Sequence, residues 1–155
     1  MSISFTFTIL DDLEFEVVRE VWNKYRIPED RTTLKLKIVV TKFLKTNKTD
    51  PASNLPIYAT GHQIALSVKS ELKGQPSPKL PTTKEELTNH ELQEVKYQVE
   101  ELDWNIYKVF DSQNVIQYEI QPVITSIYKV IGVFDQLGNP YYWVTSQIIT
   151  RVKKL

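Results

Sequence analysis

Two carboxylates and an imidazole near the middle of the chain have a spacing that suits a metal site on a helix. Glu86, His90 and Glu94 recur every fourth residue, so a helix would place all three on one face. Carboxylate and imidazole groups are ligands for divalent metal ions. The alternative is the solvated face of a short helix, where charged side chains are most often found. The second histidine, His62, follows a Thr-Gly pair and is interpreted as an exposed residue of a turn or bulge.

A second group of residues has the chemistry of a phosphate-binding strand. After residue 30 the chain is rich in basic side chains, and strand alternation puts Lys35, Lys37, Phe43 and Lys45 on one face. Lysines can follow a phosphate backbone while a base stacks on the phenylalanine ring. The candidate nucleic-acid-binding residues are Arg31, Lys35, Lys37, Lys42, Phe43 and Lys45. The alternative is an edge strand that its lysines protect from aggregation.

The pattern Trp-Asn-x-Tyr occurs twice and is the most specific repeated motif of the chain. Its members are Trp22, Asn23 and Tyr25 in the first copy, and Trp104, Asn105 and Tyr107 in the second. Two such motifs could line two equivalent ligand pockets. We favour a structural role, because aromatic side chains fill cores and Asn can satisfy backbone groups where a strand is irregular.

The sequence contains no motif that indicates catalysis. G-x-S-x-G, HExxH, phosphate-loop and G-x-G-x-x-G patterns are missing, and four glycines are few for a phosphate cradle. The chain has no cysteine, which excludes thiolate metal sites and cysteine nucleophiles. We therefore assign no catalytic residue and predict no cofactor. A carboxylate- or metal-dependent hydrolase or nuclease that uses the connector stays open as a second alternative.

These residues belong to a sequence that repeats itself. Residues 56–69 align with residues 140–153 at a shift of 84, with six identities in 14 positions. Residues 15–27 align with residues 97–109 at a shift of 82. Because the matching segments occur in the same order in both halves, the sequence predicts an internal duplication.

Each half is predicted to contain three strands. Apolar residues alternate through Phe15–Ile27, with a bulge expected near Glu20 or Leu102. A polar turn leads to a second alternating strand, and the third strand begins at Pro56 or Pro140, where a missing N–H does least harm.

The predicted fold is mostly β. Two tandem three-stranded β-meanders and an N-terminal strand form one pseudo-twofold sandwich or barrel. The single domain 1–155 consists of repeats 13–69 and 95–153, joined by a Pro-rich connector 70–94. In that connector, Thr83 and Glu86 form a capping box, which predicts a short helix from about Lys84 to Glu94.

Composition and charge leave the function open between binding classes. The chain has 19 basic and 19 acidic residues, but residues 13–69 carry ten basic and six acidic side chains, a net charge of +4. No apolar run has the length of a membrane helix and no secretory signal is recognised, so a cytoplasmic location without membrane contact is predicted.

The leading hypothesis is a small, non-catalytic binding or scaffold protein that acts through protein contacts. The first alternative binds nucleic acid on the basic strand of residues 31–48. An uncovered edge strand could pair two copies of the chain, although the sequence does not locate one.

Overall fold

The computed structural model describes residues 7–155. The chain is mostly β, with nine antiparallel strands in one hydrogen-bonded sheet and one short helix, which confirms the predicted fold class at this level. The elements are β1 (Ile9–Arg19), β2 (Asn23–Ile27), β3 (Thr32–Thr49), β4 (Pro56–Ser70), α1 (Lys84–Leu87), β5 (Leu92–Glu94), β6 (Gln98–Glu101), β7 (Asn105–Phe110), β8 (Val115–Phe134) and β9 (Pro140–Lys154). The predicted N-terminal strand, residues 2–10, begins outside the described residues, and its last two residues, Ile9 and Leu10, are the first residues of β1. Within residues 7–155, no helix is long and apolar enough to cross a membrane.

Two long hairpins, β3–β4 and β8–β9, form the frame of the molecule. β3 pairs with β4 along most of its length, and its other edge pairs with β2 and then with the first part of β1. β8 is arranged in the same way, with β9 on one edge and β7 and β5 on the other. The second part of β1 pairs with β7, and β6 pairs with β2, so strands of each half complete the sheet of the other.

The first strand of each half is interrupted by a corner. The prediction of one bulged strand over Phe15–Ile27 is wrong, because residues 20–22 separate β1 from β2. Residues 102–104 separate β6 from β7 in the same way. Side-chain amides at the start of β2 and of β7 accept backbone hydrogen bonds at these corners, and they replace the bonds of a continuous ladder.

A bulge in β3 changes which side chains face the interior. The β3–β4 register shifts between Val40 and Lys42, and the β8–β9 register shifts between Ile124 and Ser126. Before the shift even-numbered residues of β3 are buried, whereas Phe43 is buried after it. One extra residue moves the side chains that directly follow it to the opposite face.

The core consists of two main clusters, and each takes side chains from both halves. The first contains Leu13, Ile38, Val40, Phe43, Tyr58, Tyr107, Val109, Ile116, Tyr118 and Ile120. The second contains Tyr25, Ile27, Leu34, Leu36, Val95, Ile124, Ile127 and Tyr142. Because neither half buries its apolar face alone, the two halves depend on each other for stability.

The connector helix is shorter than predicted. The Thr83 hydroxyl accepts the Glu86 N–H at 3.1 Å, as the capping box predicts, but α1 ends at Leu87. The predicted extension to Glu94 is wrong, because residues 92–94 form β5 and pair with β8. Pairing with a long, already formed strand satisfies more backbone groups than another isolated helical turn would.

Candidate nucleic-acid interface

The outer face of β2, β3 and β4 carries a concentration of positive charge. Leu34 and Leu36 point into the core, so the residues between them and next to them on β3 point outward. We define the basic face as the five outward cations on these strands, namely Lys24, Arg26, Lys35, Lys37 and Lys69. Alternation about a buried core therefore places one sign of charge on one side of the sheet.

The strand register brings like charges directly opposite each other. Lys24 pairs with Lys35, and Lys35 pairs in turn with Ser67. Neighbouring strands are about 4.8 Å apart, and like charges at opposed positions are destabilising. This arrangement costs folding free energy, and an anion lying between the two lysines would offset that cost.

A shallow depression lies among these cations. It has a volume of about 290 Å³ and is lined by Lys24, Thr33, Lys35, Ser67 and Lys69. Every one of these side chains has a hydrogen-bond donor, and none is a carboxylate. The lining matches the needs of a phosphate group, which accepts several hydrogen bonds and carries negative charge.

A tryptophan stands next to the depression. Trp22, at the corner between β1 and β2, is 39% exposed, and the Lys37 Nζ lies 5.6 Å from its ring centroid. A cavity of about 390 Å³ is lined by Trp22, Lys24 and Lys35, and also by Glu20 and Glu101. An exposed indole beside lysines combines a stacking surface with phosphate-binding charge.

Acidic neighbours neutralise only part of the basic face. Glu100 approaches Lys24 at 3.7 Å, and both side chains are 38% exposed, so the pair is weak. Within residues 7–155, Lys35, Lys37 and Lys69 form no ion pair. Most of the charge therefore remains available to a ligand.

The structure separates the predicted nucleic-acid-binding residues into two groups. Lys35 and Lys37 lie on the basic face, Lys42 is exposed beyond the bulge, and Arg31 lies in the β2–β3 turn, 3.5 Å from Glu71. The prediction that Phe43 and Lys45 share the face of Lys35 is wrong. Because the bulge reverses the alternation, Phe43 is fully buried and Lys45 binds Asp111 at 2.9 Å.

Four residues of this surface were missed by the sequence analysis. Lys24 and Arg26 lie on β2, Lys69 lies on β4, and Trp22 was assigned a structural role. Lys24 and Arg26 alternate with the buried Asn23, Tyr25 and Ile27, which is a usable signal for an outward position. Their proximity to Lys35 depends on the pairing register, which the sequence does not show.

The Trp-Asn-x-Tyr motifs occupy the two corners. Asn23 accepts the Asp103 N–H at 2.7 Å, and Asn105 accepts the Val21 N–H at 2.9 Å, so each amide holds the corner of the other half. Tyr25 and Tyr107 are fully buried in separate core clusters. Trp104 differs from Trp22, because the Arg151 guanidinium lies 3.8 Å from its ring centroid and covers it.

Two buried aspartates, which the sequence analysis did not single out, bind residues of the opposite half. Asp30 accepts hydrogen bonds from Lys129 at 2.8 Å and from Tyr142 at 2.7 Å. Asp111 accepts the corresponding bonds from Lys45 at 2.9 Å and from Tyr58 at 3.0 Å.

Burial and these partners shift the acid–base properties of the two clusters. Burial and the carboxylate of Asp111 raise the pKa of Tyr58. Burial also raises the pKa of Tyr142, to which the carboxylate of Asp30 contributes. Burial alone would raise the pKa of Asp111, but the hydrogen bonds from Lys45 and Tyr58 outweigh it, and that pKa lies below its ordinary value.

The residues of the predicted metal site do not share a helical face. Glu86 accepts the Thr82 N–H at 2.8 Å, which lowers the pKa of this carboxyl group, whereas His90 follows the end of α1 and Glu94 lies in β5. Among the described residues, no three His, Asp or Glu side chains are grouped for metal binding. His62 is exposed, with its Nδ1 3.1 Å from the Thr60 hydroxyl.

Comparison with known proteins adds no assignment, since no family model, curated protein or solved structure matches the chain.

Proposed function

We propose that the protein is a non-catalytic binding protein whose ligand is single-stranded nucleic acid, held on the basic face. The observation that carries the proposal is the direct opposition of Lys24 and Lys35 in the β2–β3 register, beside the donor-lined depression. A polyanion relieves this repulsion, and release of its counterions favours binding.

Trp22 supports a single strand rather than a duplex as the ligand. Its exposed ring lies at the margin of the basic face, where an unstacked base can lie on it. Bases of a duplex are stacked on each other and do not offer this contact. Stacking is tolerant of sequence, so we expect little base specificity.

Protein contact, the leading hypothesis from the sequence, is retained as a second candidate function. The observation that favours it is the free edge of β4, whose central residues carry no charge. The hydrolase hypothesis gains no support, because Glu86 and His90 line one shallow pocket of the connector that Glu94, in β5, does not line. The cytoplasmic location stays a prediction.

We also propose that residues 13–69 and 95–153 are copies of one unit, packed as a single sandwich. Two pairs of contacts related by a shift of 82 residues support this proposal. Val17 pairs with Tyr107, and Val99 pairs with Tyr25. A strand of each unit thus pairs with a strand of the other. This arrangement is expected of a duplicated unit that is too small to bury its apolar face alone.

The test is fluorescence anisotropy of labelled single-stranded and double-stranded oligonucleotides at low and near-physiological salt. We expect the single strand to bind more tightly, with an affinity that falls as salt rises. Lys35→Glu/Lys37→Glu should weaken binding at least tenfold and reduce the slope of log K against log salt by about 1.4, or 0.7 for each lost contact. Trp22→Ala should cost about 1–3 kcal/mol of affinity for the single strand.

A matched control lies on the outer face of the other half. Lys108→Glu/Lys153→Glu makes the same change of charge at positions that both lie opposite Gln117, outside the basic face. It should leave affinity within about threefold of the unmodified protein, the change expected of a distant charge. Equal loss of affinity in both double variants, or no binding at low salt, would exclude the basic face as a nucleic-acid site.

A further inference from the structure

β4 has an edge that no other strand of the described chain covers, and only its last residues have a partner there, since Asn139 accepts the Ser70 N–H and donates to the Val68 carbonyl, both at 3.1 Å. β4 pairs with β3 through residues 56–70, and no other strand of the described chain pairs with it. Up to Ser67, the backbone N–H and C=O groups on the far side are therefore available to a further strand. The nearest strand across the gap, β9, is separated from it by a groove of about 230 Å³ lined by Leu36, Ile64, Leu66 and Tyr142, among others.

The centre of this edge lacks the usual protection. Residues 60–68 contain no Lys, Arg, Asp or Glu. Ile64 and Leu66 have the same phase as the half-buried Val68, yet they are 46% and 41% exposed, because they line the groove and no strand of residues 7–155 pairs with this edge. Natural edge strands are normally guarded by charges, prolines or a covering element.

We propose that a second copy of this chain pairs with β4, with the two β4 strands antiparallel and Ala65 on the twofold axis. In this register Ile64 lies opposite Leu66 of the second copy, and Leu66 lies opposite its Ile64, so four exposed apolar side chains cover one another. Lys69 lies opposite Gly61 of the second copy, and no two like charges face each other. A register displaced by one residue would set inward side chains against outward ones.

The twofold symmetry of this pairing has a consequence for the basic face. Two identical antiparallel strands in one sheet are related by an axis perpendicular to that sheet, so the same face of each copy lies on the same side. The outward cations of both copies would form one continuous surface, in which Lys37 of each copy lies nearest the axis because it pairs with Ala65. This step alone rests on the proposed function, whereas the pairing itself does not.

The equivalent edge, β9, is less suited to pairing. Ile64 and Leu66 align with Ile148 and Thr150, and Ile148 is half-buried. The strand ends in Arg151, Lys153 and Lys154, which guard an edge against association. The two open edges thus differ in charge and in exposed apolar surface, and β4 is the one left unguarded.

The experiment uses the absence of cysteine from the chain. Ala65→Cys places one thiol on the proposed axis, where opposed Cβ atoms lie about 5 Å apart, within reach of a disulfide after small adjustment. Ser67→Cys is the matched control on the same face, and its two thiols would lie about 14 Å apart. Mild oxidation should cross-link the full-length Ala65→Cys protein into a dimer and leave Ser67→Cys monomeric on a non-reducing gel.

Sedimentation of the unmodified protein over a range of concentrations tests association directly. We expect a reversible dimer that Leu66→Lys weakens at least tenfold, while Ile149→Lys, at a residue of similar exposure on β9, leaves it unchanged. Circular dichroism confirms that both variants are folded. A monomer at every concentration, a dimer unaffected by Leu66→Lys, or equal cross-linking of both cysteine variants would overturn the proposal. If the dimer forms but oligonucleotides do not bind, the proposed function fails and the interface stands.

Discussion

At the scale of single residues, the β1–β2 and β6–β7 corners both bury an Asn and a Tyr, but the polar groups of these side chains are fully hydrogen-bonded in only one of the two. The Tyr107 hydroxyl donates to Glu20 at 2.8 Å and accepts a hydrogen bond from the Asn105 amide at 3.1 Å. In the other corner, Leu102 aligns with Glu20, and the Tyr25 hydroxyl and the Asn23 Nδ2 have no hydrogen-bond partner among the described residues. A buried polar group without a partner costs about 1–3 kcal/mol.

This asymmetry predicts opposite results for one substitution at two equivalent positions. Tyr107→Phe removes a bonded hydroxyl and leaves Glu20 and Asn105 short of a partner, so it should lower the free energy of unfolding by about 1–3 kcal/mol. Tyr25→Phe removes an unbonded hydroxyl and should leave stability unchanged or raise it by about 1 kcal/mol. Urea denaturation of the two variants measures the difference. Equal losses would mean that the Tyr25 hydroxyl has a partner in solution.

The sequence predicts which residues form these corners but not what they do there. The spacing of Trp-Asn-x-Tyr marks both motifs, and alternation marks Tyr25 and Tyr107 as buried. The replacement of Glu20 by Leu102 is visible in the alignment as well. The loss of a hydrogen bond that this replacement causes cannot be seen in the sequence, because Glu20 and Tyr107 are 87 residues apart and come into contact only in the folded chain.

At the scale of elements, periodicity predicts strands well and their interruptions poorly. Leu34 to Val40 alternate in the sequence, and β3 follows that pattern until the bulge. The residue types around Thr41 do not predict the bulge, whose position is determined by the pairing of β3 with β4 near Gly61. The predicted outward positions are therefore correct for Lys35 and Lys37, before the bulge, and wrong for Phe43 and Lys45, after it.

The connector is an element whose position no periodicity predicts. It lies against the β8–β9 hairpin, where the Gly74 N–H donates to Gly138 at 2.9 Å and the Tyr141 hydroxyl donates to Pro81 at 2.7 Å. Leu80 and Leu87 of the connector belong to a third apolar cluster, together with Val130, Val133, Tyr141 and Trp143 of the hairpin. The prolines make the segment extended, and these contacts determine where it lies.

Gly74 tests whether this docking is tight. A Cβ at this position would lie 2.3–2.5 Å from the Phe134 ring, far inside van der Waals contact. Gly74→Ala should therefore displace the connector and lower the free energy of unfolding by about 1–3 kcal/mol, the usual cost of overpacking. Limited proteolysis should show faster cleavage between residues 71 and 91.

Gly132→Ala is the control for this substitution. Gly132 has φ +78° but nothing within 4 Å of the added Cβ, so it should cost only the backbone strain of about 1 kcal/mol and leave cleavage of the connector unchanged. Faster cleavage in both variants would show that general destabilisation, rather than loss of docking, exposes the connector.

At the scale of the whole molecule, two buried ion pairs join the halves. Asp30 reaches Lys129 and Tyr142 in the second half, and Asp111 reaches Lys45 and Tyr58 in the first. The side chains of Asp30 and Asp111 are 3% and 1% exposed. Removal of one partner from such a pair leaves a buried charge, so each cluster makes the fold of one half depend on the other.

The lowered pKa of Asp111 makes this coupling sensitive to acid. The unfolded carboxyl has a pKa near 3.9, so below about pH 5 the unfolded chain binds protons more readily than the folded one, and stability falls as pH drops through the folded pKa. Asp111→Asn should lower the free energy of unfolding by about 3 kcal/mol at pH 7, because Lys45 is only 14% exposed and loses its carboxylate. It should also flatten the decline of stability between about pH 5 and pH 3.

Glu119 provides the comparison for this acid dependence. Burial opposes ionisation of Glu119, but the hydrogen bonds from Arg151 and Gln117 and the positive charges of Arg151 and Lys153 together outweigh it, so the pKa of this carboxyl group is also lowered. Arg151 is 58% exposed, so solvent screens the pair and Glu119→Gln should cost only about 0.5 kcal/mol. Urea denaturation of both variants from pH 7 to pH 3 separates the two cases. Parallel curves for Asp111→Asn and the unmodified protein would show that the buried pair between the halves does not control acid stability.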